Sequence, residues 1–254
     1  MMRSEPSSTY NHGLFARLVE VEDGSFWFRS RNRLIIWALR SYFPKAKDFL
    51  EIGCGTGFVL LGIRNEIPHL SLYGSDIYDE ALIYAGERLK GADLFRMDAR
   101  SLSFEEKFDI IGAFDLLEHI REDDVILSKM FRAVRRGGGI ILSVPQHSVM
   151  WSQSDEDAHH VRRYAAPELE RKVKGAGFKV RDVISFVSLL LPFMFISRLK
   201  SRLSCERYDV INELRSNGFM NALLEKVMDL ERTLVRLGLR LPFGGSLLLI
   251  ADKT

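Results

Sequence analysis

Residues 48–57 read Asp48-Phe49-Leu50-Glu51-Ile52-Gly53-Cys54-Gly55-Thr56-Gly57, a short apolar run that breaks into glycines. A strand that ends in glycines and gives way to a helix brings backbone N–H groups close to whatever binds there. The spacing is Gly-x-Gly-x-Gly with Phe58 next, whereas a dinucleotide fingerprint is Gly-x-Gly-x-x-Gly. Glu51 stands just ahead of the glycines. A carboxylate there repels a pyrophosphate and suits a ligand that carries an ammonium group.

Outward from this stretch, short apolar runs alternate with helical spacing, the pattern of βαβ units around a mostly parallel sheet. Strands are predicted at DFLEIG (48–53), LSLYGSD (70–76), ADLFR (92–96), FDIIGAFD (108–115), GIILSVP (139–145), FKVRDVISF (178–186) and SLLLIAD (246–252). Helices fall near 57–66, 79–89, 123–135 and 167–176, the last bracketed by Pro167 and Gly177. Gly137, Gly138 and Gly139 read as the close of the third of these, with Arg132, Arg135 and Arg136 complementing its C-terminus. Before the first strand, Leu34, Ile35, Ala38, Leu39 and Tyr42 recur at helical spacing until Pro44 stops the pattern. The fold class is therefore α/β, a doubly wound, seven-stranded, mostly parallel sheet whose last pair forms an antiparallel edge. One domain over 1–254 is expected, with a helical cover at 1–44 and a C-terminal helical insertion at 187–240.

Two further acids sit where strands end. Asp76 closes the second strand about 20 residues past the glycines, where a carboxylate accepts hydrogen bonds from ribose hydroxyls. Asp98, in RMDA, ends the third strand and can accept from an adenine amino group. Any one acid at a strand end also serves as a turn former. All three in register with the glycines point to a nucleoside-bearing ligand.

EIGCGTG, GSDI, RMDA and FDIIGAFDLLEHI, in that order and spacing, resemble the motif series of class I S-adenosylmethionine-dependent methyltransferases over residues 48–145. The resemblance implies S-adenosyl-L-methionine as cofactor and a Rossmann-like sheet whose last strand is antiparallel. It implies that Glu51, Gly53, Cys54, Gly55 and Gly57 surround the methionine part. Asp76 would then bind the ribose, Ile77 would flank the adenine, and Asp98 with Ala99 would hold its amino edge. Phe114 and Asp115 open the segment expected beneath the sulfonium. FWFRSR (26–31), DAHHVRRY (157–164) and LPFGGSLLLIADK resemble flanking segments of one broad branch of the same family.

His119 and His160 are the candidates for a catalytic base, each with a structural alternative. Arg31 reads either as a partner for the cofactor carboxylate or as a helix cap. Arg162, Arg163 and Tyr164 either fix their loop or hold an anionic substrate. The methyl acceptor is expected to be a small molecule or lipid-like. The alternatives are an NAD(P)-dependent oxidoreductase of the same fold class and a non-catalytic cofactor-binding module.

Composition narrows the remaining classes. The 254 residues carry 36 Lys plus Arg against 34 Asp plus Glu, a net charge of +2 that gives no footprint for nucleic acid. Cys54 and Cys205 can build neither a disulfide framework nor a cysteine-rich zinc site, and no metal is expected. The polar start, MMRSEPSSTYNHG, shows no secretory signal, so a cytoplasmic location is expected. VISFVSLLLPFMFIS (183–197) is too short to span a membrane, yet it meets Arg198, Lys200 and Arg202. A peripheral membrane contact through 183–202 is one reading and a buried segment the other. Leu223, Val227, Leu230, Leu234 and Leu237 form a heptad-like seam, read as buried against the chain's own core, with a homodimer as the alternative.

Overall fold

The first strand, β1 (Asp48–Ile52), is buried through Phe49, Leu50, Glu51 and Ile52, the texture of a strand covered on both faces, with one acid among the apolar residues. The structure is a computed structural model that describes residues 13–195 and 218–254. β1 pairs in parallel with β2 (Ser71–Asp76) on one side and β4 (Phe108–Phe114) on the other. β3 (Asp93–Arg96), β5 (Val134–Pro145), β6 (Lys179–Phe186) and β7 (Ser246–Asp252) complete a seven-stranded sheet of order β3-β2-β1-β4-β5-β7-β6. β7 runs antiparallel to both β5 and β6, the expected antiparallel pair at one edge. The strand order reverses between β1 and β4, and ligands of open α/β sheets bind outside the carboxyl ends of strands at that switch.

Two helices precede the sheet, α1 (Leu14–Glu22) and α2 (Phe26–Tyr42). α2 buries Leu34, Ile35, Ala38 and Leu39 at the expected spacing and stops two residues before Pro44. With α3 (Phe58–Glu66) it covers one face; α4 (Asp79–Arg88) follows β2. α5 (Asp123–Ala133) and α7 (Ala166–Gly175) cover the other face through Ile126, Met130, Leu169 and Val173. A short α6 (Gln153–Asp157) lies in the loop after β5. Truncating a fully buried residue such as Ile35 to Ala costs about 2–5 kcal/mol.

Three sequence expectations change here. α5 ends at Ala133, and Gly137 to Gly139 lie within β5 rather than closing the helix. A Cβ at Gly138 would stand 2.1 Å from the Asp109 carbonyl oxygen, and one at Gly139 2.3 Å from that of Ala251. The glycines therefore admit the two neighbouring strands. Arg135 caps no helix either; it pairs with Asp48 at 2.6 Å and Asp109 at 3.0 Å.

The second concerns α8 (Gly218–Arg236). Leu223, Leu230 and Leu237 are exposed, and the stripe that packs is Leu224, Val227, Met228 and Val235. The inward face is thus rotated from the predicted seam. Asn221 joins this helix to α2, accepting from the Phe26 N–H at 2.8 Å and donating to the Gly24 carbonyl at 2.8 Å.

The third is the 183–197 run, which divides. Ile184, Phe186 and Leu190 are buried, whereas Phe193 and Phe195 face outward. Ile196, Arg198, Lys200, Arg202 and Cys205 lie outside the described residues. Among the described residues, no helix is long and apolar enough to cross a membrane.

Candidate functional site

At the carboxyl ends of β1, β2 and β4 lies a cleft of about 580 Å³. Of the residues singled out in the sequence, Gly53, Asp76, Ile77, Asp98, Ala99, Asp115 and His119 line it. The glycine loop turns through left-handed conformations, with φ of 72° at Gly53, 53° at Gly55 and 77° at Gly57. The Gly53 and Cys54 N–H groups donate to the Ser75 carbonyl at 2.7 and 2.9 Å, which fixes the loop to β2. A Cβ at Gly57 would meet Leu89 at 2.8 Å, whereas one at Gly55 would meet nothing within 4 Å. Gly57 is required for helix packing; Gly55 leaves backbone open.

Asp76 is not a free acceptor on a strand end but a buried group with two backbone partners. One carboxylate oxygen accepts from the Gly55 N–H at 2.9 Å and the other from the Tyr78 N–H at 3.0 Å. Burial raises its carboxyl, and these N–H groups oppose the rise. Glu51 lies behind the loop, buried, with its Oε2 lacking any hydrogen-bond partner among the described residues. Burial pushes the Glu51 carboxyl far up, Arg31 draws it down, and Asp76 and Glu22 add to the rise. A compact cation beside Glu51 would satisfy that oxygen and hold the group ionised.

Arg31 caps no helix, standing six residues into α2. Its guanidinium pairs with Asp115, which also accepts from the Ser143 hydroxyl at 3.0 Å. Asp115 adopts φ 52°, rare for a non-glycine residue, and strain of this kind concentrates at functional sites. Asp98 is held below the ordinary carboxylate range, chiefly by a two-pronged pairing with Arg100 at 2.6 and 3.0 Å. That pairing takes up acceptor capacity expected to serve an adenine.

The other expected contacts, Arg31, Glu51, Gly55, Gly57, His160, Cys54 and Phe114, are not among the residues lining the cleft, and the last two turn their side chains into the core. Cys54 packs into the core, and its thiol is pushed up by burial and by Glu51. Phe114 packs in the same apolar cluster. Leu116 lines the cleft beneath the glycine loop instead, since a Cβ at Gly53 would fall 2.8 Å from its methyl.

Residues missed in the sequence close the front of the cleft. Leu14, Phe15 and Leu18 of α1 line it, and the Phe15 ring stands 5.8 Å from Tyr78. α1 is tied down by Glu22, which accepts from the Thr56 hydroxyl at 2.7 Å and from Arg88 at 2.5 Å. The FWFRSR stretch thus opens α2, while the preceding helix lies over the site.

The loop after β5 is fixed by internal pairs. Arg163 donates to Asp155 at 2.7 Å and to the Gln146 carbonyl; Arg162 and the Tyr164 hydroxyl each reach Asp123 at 2.7 Å. These groups hold the loop and are not spare for an anionic substrate. The same loop brings His160 against His119, ring centroids 4.8 Å apart, with Nδ1 of His160 2.8 Å from Asp155. Burial, with His160 adding, drives the His119 imidazole down to about 4, so it is neutral at pH 7. Beside them stands Glu118, buried, with neither carboxylate oxygen partnered among the described residues.

A second cavity, of about 800 Å³ and nearly all apolar, lies elsewhere on the chain. Leu191, Pro192, Phe195, Pro242 and Phe243 contribute to its walls, with His147 among the polar groups.

Comparison with known proteins fits this arrangement. The chain is 25% identical over 167 residues to a probable S-adenosylmethionine-dependent methyltransferase of Mycolicibacterium smegmatis, covering 63% of this chain and 62% of the relative. It is 32% identical over 100 residues to the phosphatidylethanolamine N-methyltransferase of Cereibacter sphaeroides, 37% of this chain and 48% of that one. The matches thus span less than two thirds of either relative. Among solved structures, phosphoethanolamine N-methyltransferase 2 of Haemonchus contortus in complex with S-adenosyl-L-methionine superposes with a TM-score of 0.63 at 18% identity, over 97% of this chain and 58% of that chain. That likeness concerns the fold. A methyltransferase-domain family model matches residues 23–183, well over half of the chain, and the protein belongs to that family.

Proposed function

We propose that the protein is a methyltransferase that binds S-adenosyl-L-methionine in the 580 Å³ cleft and passes its methyl group to a small-molecule or lipid-like acceptor. The observation that carries this reading is the buried, unpartnered Oε2 of Glu51 behind an open glycine loop. An acid in that place fits the ammonium of a methionine moiety and opposes a pyrophosphate. Gly53 and Gly55 would let the backbone approach the ligand, and Asp76, with lone pairs beyond its two backbone bonds, would meet the ribose. Ile77 and Ala99 would flank the base, and Asp98 would hold its edge from within the Arg100 pair. Arg31 and Asp115 would lie near the methionine end as a coupled pair.

When bound, the sulfonium supplies an already activated methyl group. The chain's own task is then alignment and exclusion of water. Leu14, Phe15 and Leu18 of α1 provide an apolar wall for the second. Where no cation occupies it, the His119 imidazole on the cleft wall, with His160 against it, would take an acceptor proton. The apolar cavity edged by Phe195 and Phe243 supports a lipid-like acceptor, as does the Cereibacter relative named for phosphatidylethanolamine.

Calorimetry decides the cofactor. S-adenosylmethionine and S-adenosylhomocysteine are expected to bind with micromolar affinity, and NAD and NADP not at all. Binding of NAD without response to S-adenosylmethionine would overturn the proposal.

A further inference from the structure

Glu118 is 1% exposed, and neither of its carboxylate oxygens has a hydrogen-bond partner among the described residues. A carboxyl in such surroundings either takes up a proton or stands beside a cation. The guanidinium groups whose charge reaches it are engaged: Arg31 with Asp115, and Arg163 with Asp155 and the Gln146 carbonyl. What does stand beside Glu118 is a pair of imidazoles. One ligand atom from each of Glu118, His119 and His160 lies within 4.8 Å of the other two.

The surroundings of the imidazoles suit ligation. Asp155 is fully buried, bound to Arg163, and accepts at 2.8 Å from Nδ1 of His160. That bond places the His160 proton on Nδ1 and leaves the Nε2 lone pair available. A carboxylate behind an imidazole is how metal-binding histidines are held in one orientation. His119 forms part of the cleft wall, so positions on that side are reachable from the cleft.

We propose that Glu118, His119 and His160 form a site for a divalent first-row transition cation, with coordination positions left open toward the cleft. From the sequence, weighed on its two cysteines alone, no metal is expected; the two histidines lie 41 residues apart and come together only in the fold. Two imidazoles and one carboxylate suit zinc, manganese, iron or cobalt better than calcium or magnesium, which favour all-oxygen sets. Bonds to zinc of roughly 2.0–2.1 Å place tetrahedral ligand atoms about 3.3 Å apart. The site must therefore contract from 4.8 Å, and Glu118 has no hydrogen bond to break in doing so. The cation's use, drawing an oxygen of the acceptor into the cleft and easing loss of its proton, rests on the methyl-transfer reading. Its binding does not.

The test is titration of the chelator-treated full chain with Zn²⁺ by calorimetry and with Co²⁺ by visible absorption. One equivalent is expected to bind with micromolar or tighter affinity, and Co²⁺ to give d–d bands of a nitrogen–oxygen site. Glu118→Gln and His160→Asn should each weaken Zn²⁺ at least about tenfold, while His159→Asn leaves it unchanged. If Glu118→Gln does not fold, the partly exposed His160→Asn carries the comparison. Absence of stoichiometric binding, or binding by His160→Asn equal to wild type, overturns the site. Zn²⁺ binding without S-adenosylhomocysteine binding would instead spare the site and remove the methyl-transfer reading.

Discussion

The Asp76 carboxylate accepts the Gly55 N–H at 2.9 Å, so the acid proposed to meet the ribose also holds the glycine loop in shape. Recognition and loop conformation therefore depend on one group. Asp76→Ala removes the partner of two backbone N–H groups, those of Gly55 and Tyr78. Stability should fall by about 1–3 kcal/mol. Affinity for S-adenosylhomocysteine should fall by about 2–3 kcal/mol, roughly 30- to 150-fold. Urea unfolding and calorimetry check the two effects separately. A variant that keeps its affinity while losing stability would make Asp76 a loop-shaping residue only.

Asp123 fastens the loop that carries His160. Burial raises its carboxyl, but the Tyr164 hydroxyl, Lys172 and Arg162 outweigh that and hold it below its ordinary value. A carboxyl depressed on folding stabilises the protein above its unfolded value near 3.9 and loses that contribution as pH falls through the lower folded value. Asp123→Asn should therefore lower the melting temperature at pH 7, with a cost of about 3 kcal/mol for a buried pair broken on one side. The gap to wild type should close as pH drops below about 4. A gap that stays constant from pH 7 to pH 3 would show that the loss is one of packing rather than charge.

The sheet was legible because each strand is a short apolar run with a helix or turn after it. β1, β2 and β4 match their predicted bounds within a residue or so, and Asp76, Ile77, Asp98 and Ala99 fall on the cleft wall. Gly137 to Gly139 misled because a glycine run after a helix usually caps it, while here the demand is the approach of β4 and β7 to β5. Cys54 and Phe114 belong to the motif stretches, yet both side chains pack into the core. Leu14, Phe15 and Leu18 carry no local mark of a site; only the packing of α1 against α4, with Glu22 bonded to Thr56 and Arg88, brings them to it. Glu118 was passed over for its neighbour His119. The clue lay in an acid within an otherwise apolar run, Leu116-Leu117-Glu118, where burial without a partner is costly.

The last expectation concerns the acceptor. Phe193 and Phe195 are 68% and 53% exposed, and Phe195 edges the 800 Å³ apolar cavity with Phe243. Side chains that exposed contribute little to folding, so Phe193→Ser with Phe195→Ser should change stability by no more than about 1 kcal/mol. Affinity for S-adenosylhomocysteine should be unchanged, because neither residue lines the cofactor cleft. If the cavity and its rim receive a lipid-like acceptor, the wild-type chain should sediment with vesicles of anionic phospholipid. The double variant should lose most of that binding, since burying each phenylalanine is worth about 1.5–3 kcal/mol. Equal vesicle binding by both proteins would remove the lipid-like acceptor and leave a small polar molecule as the substrate class.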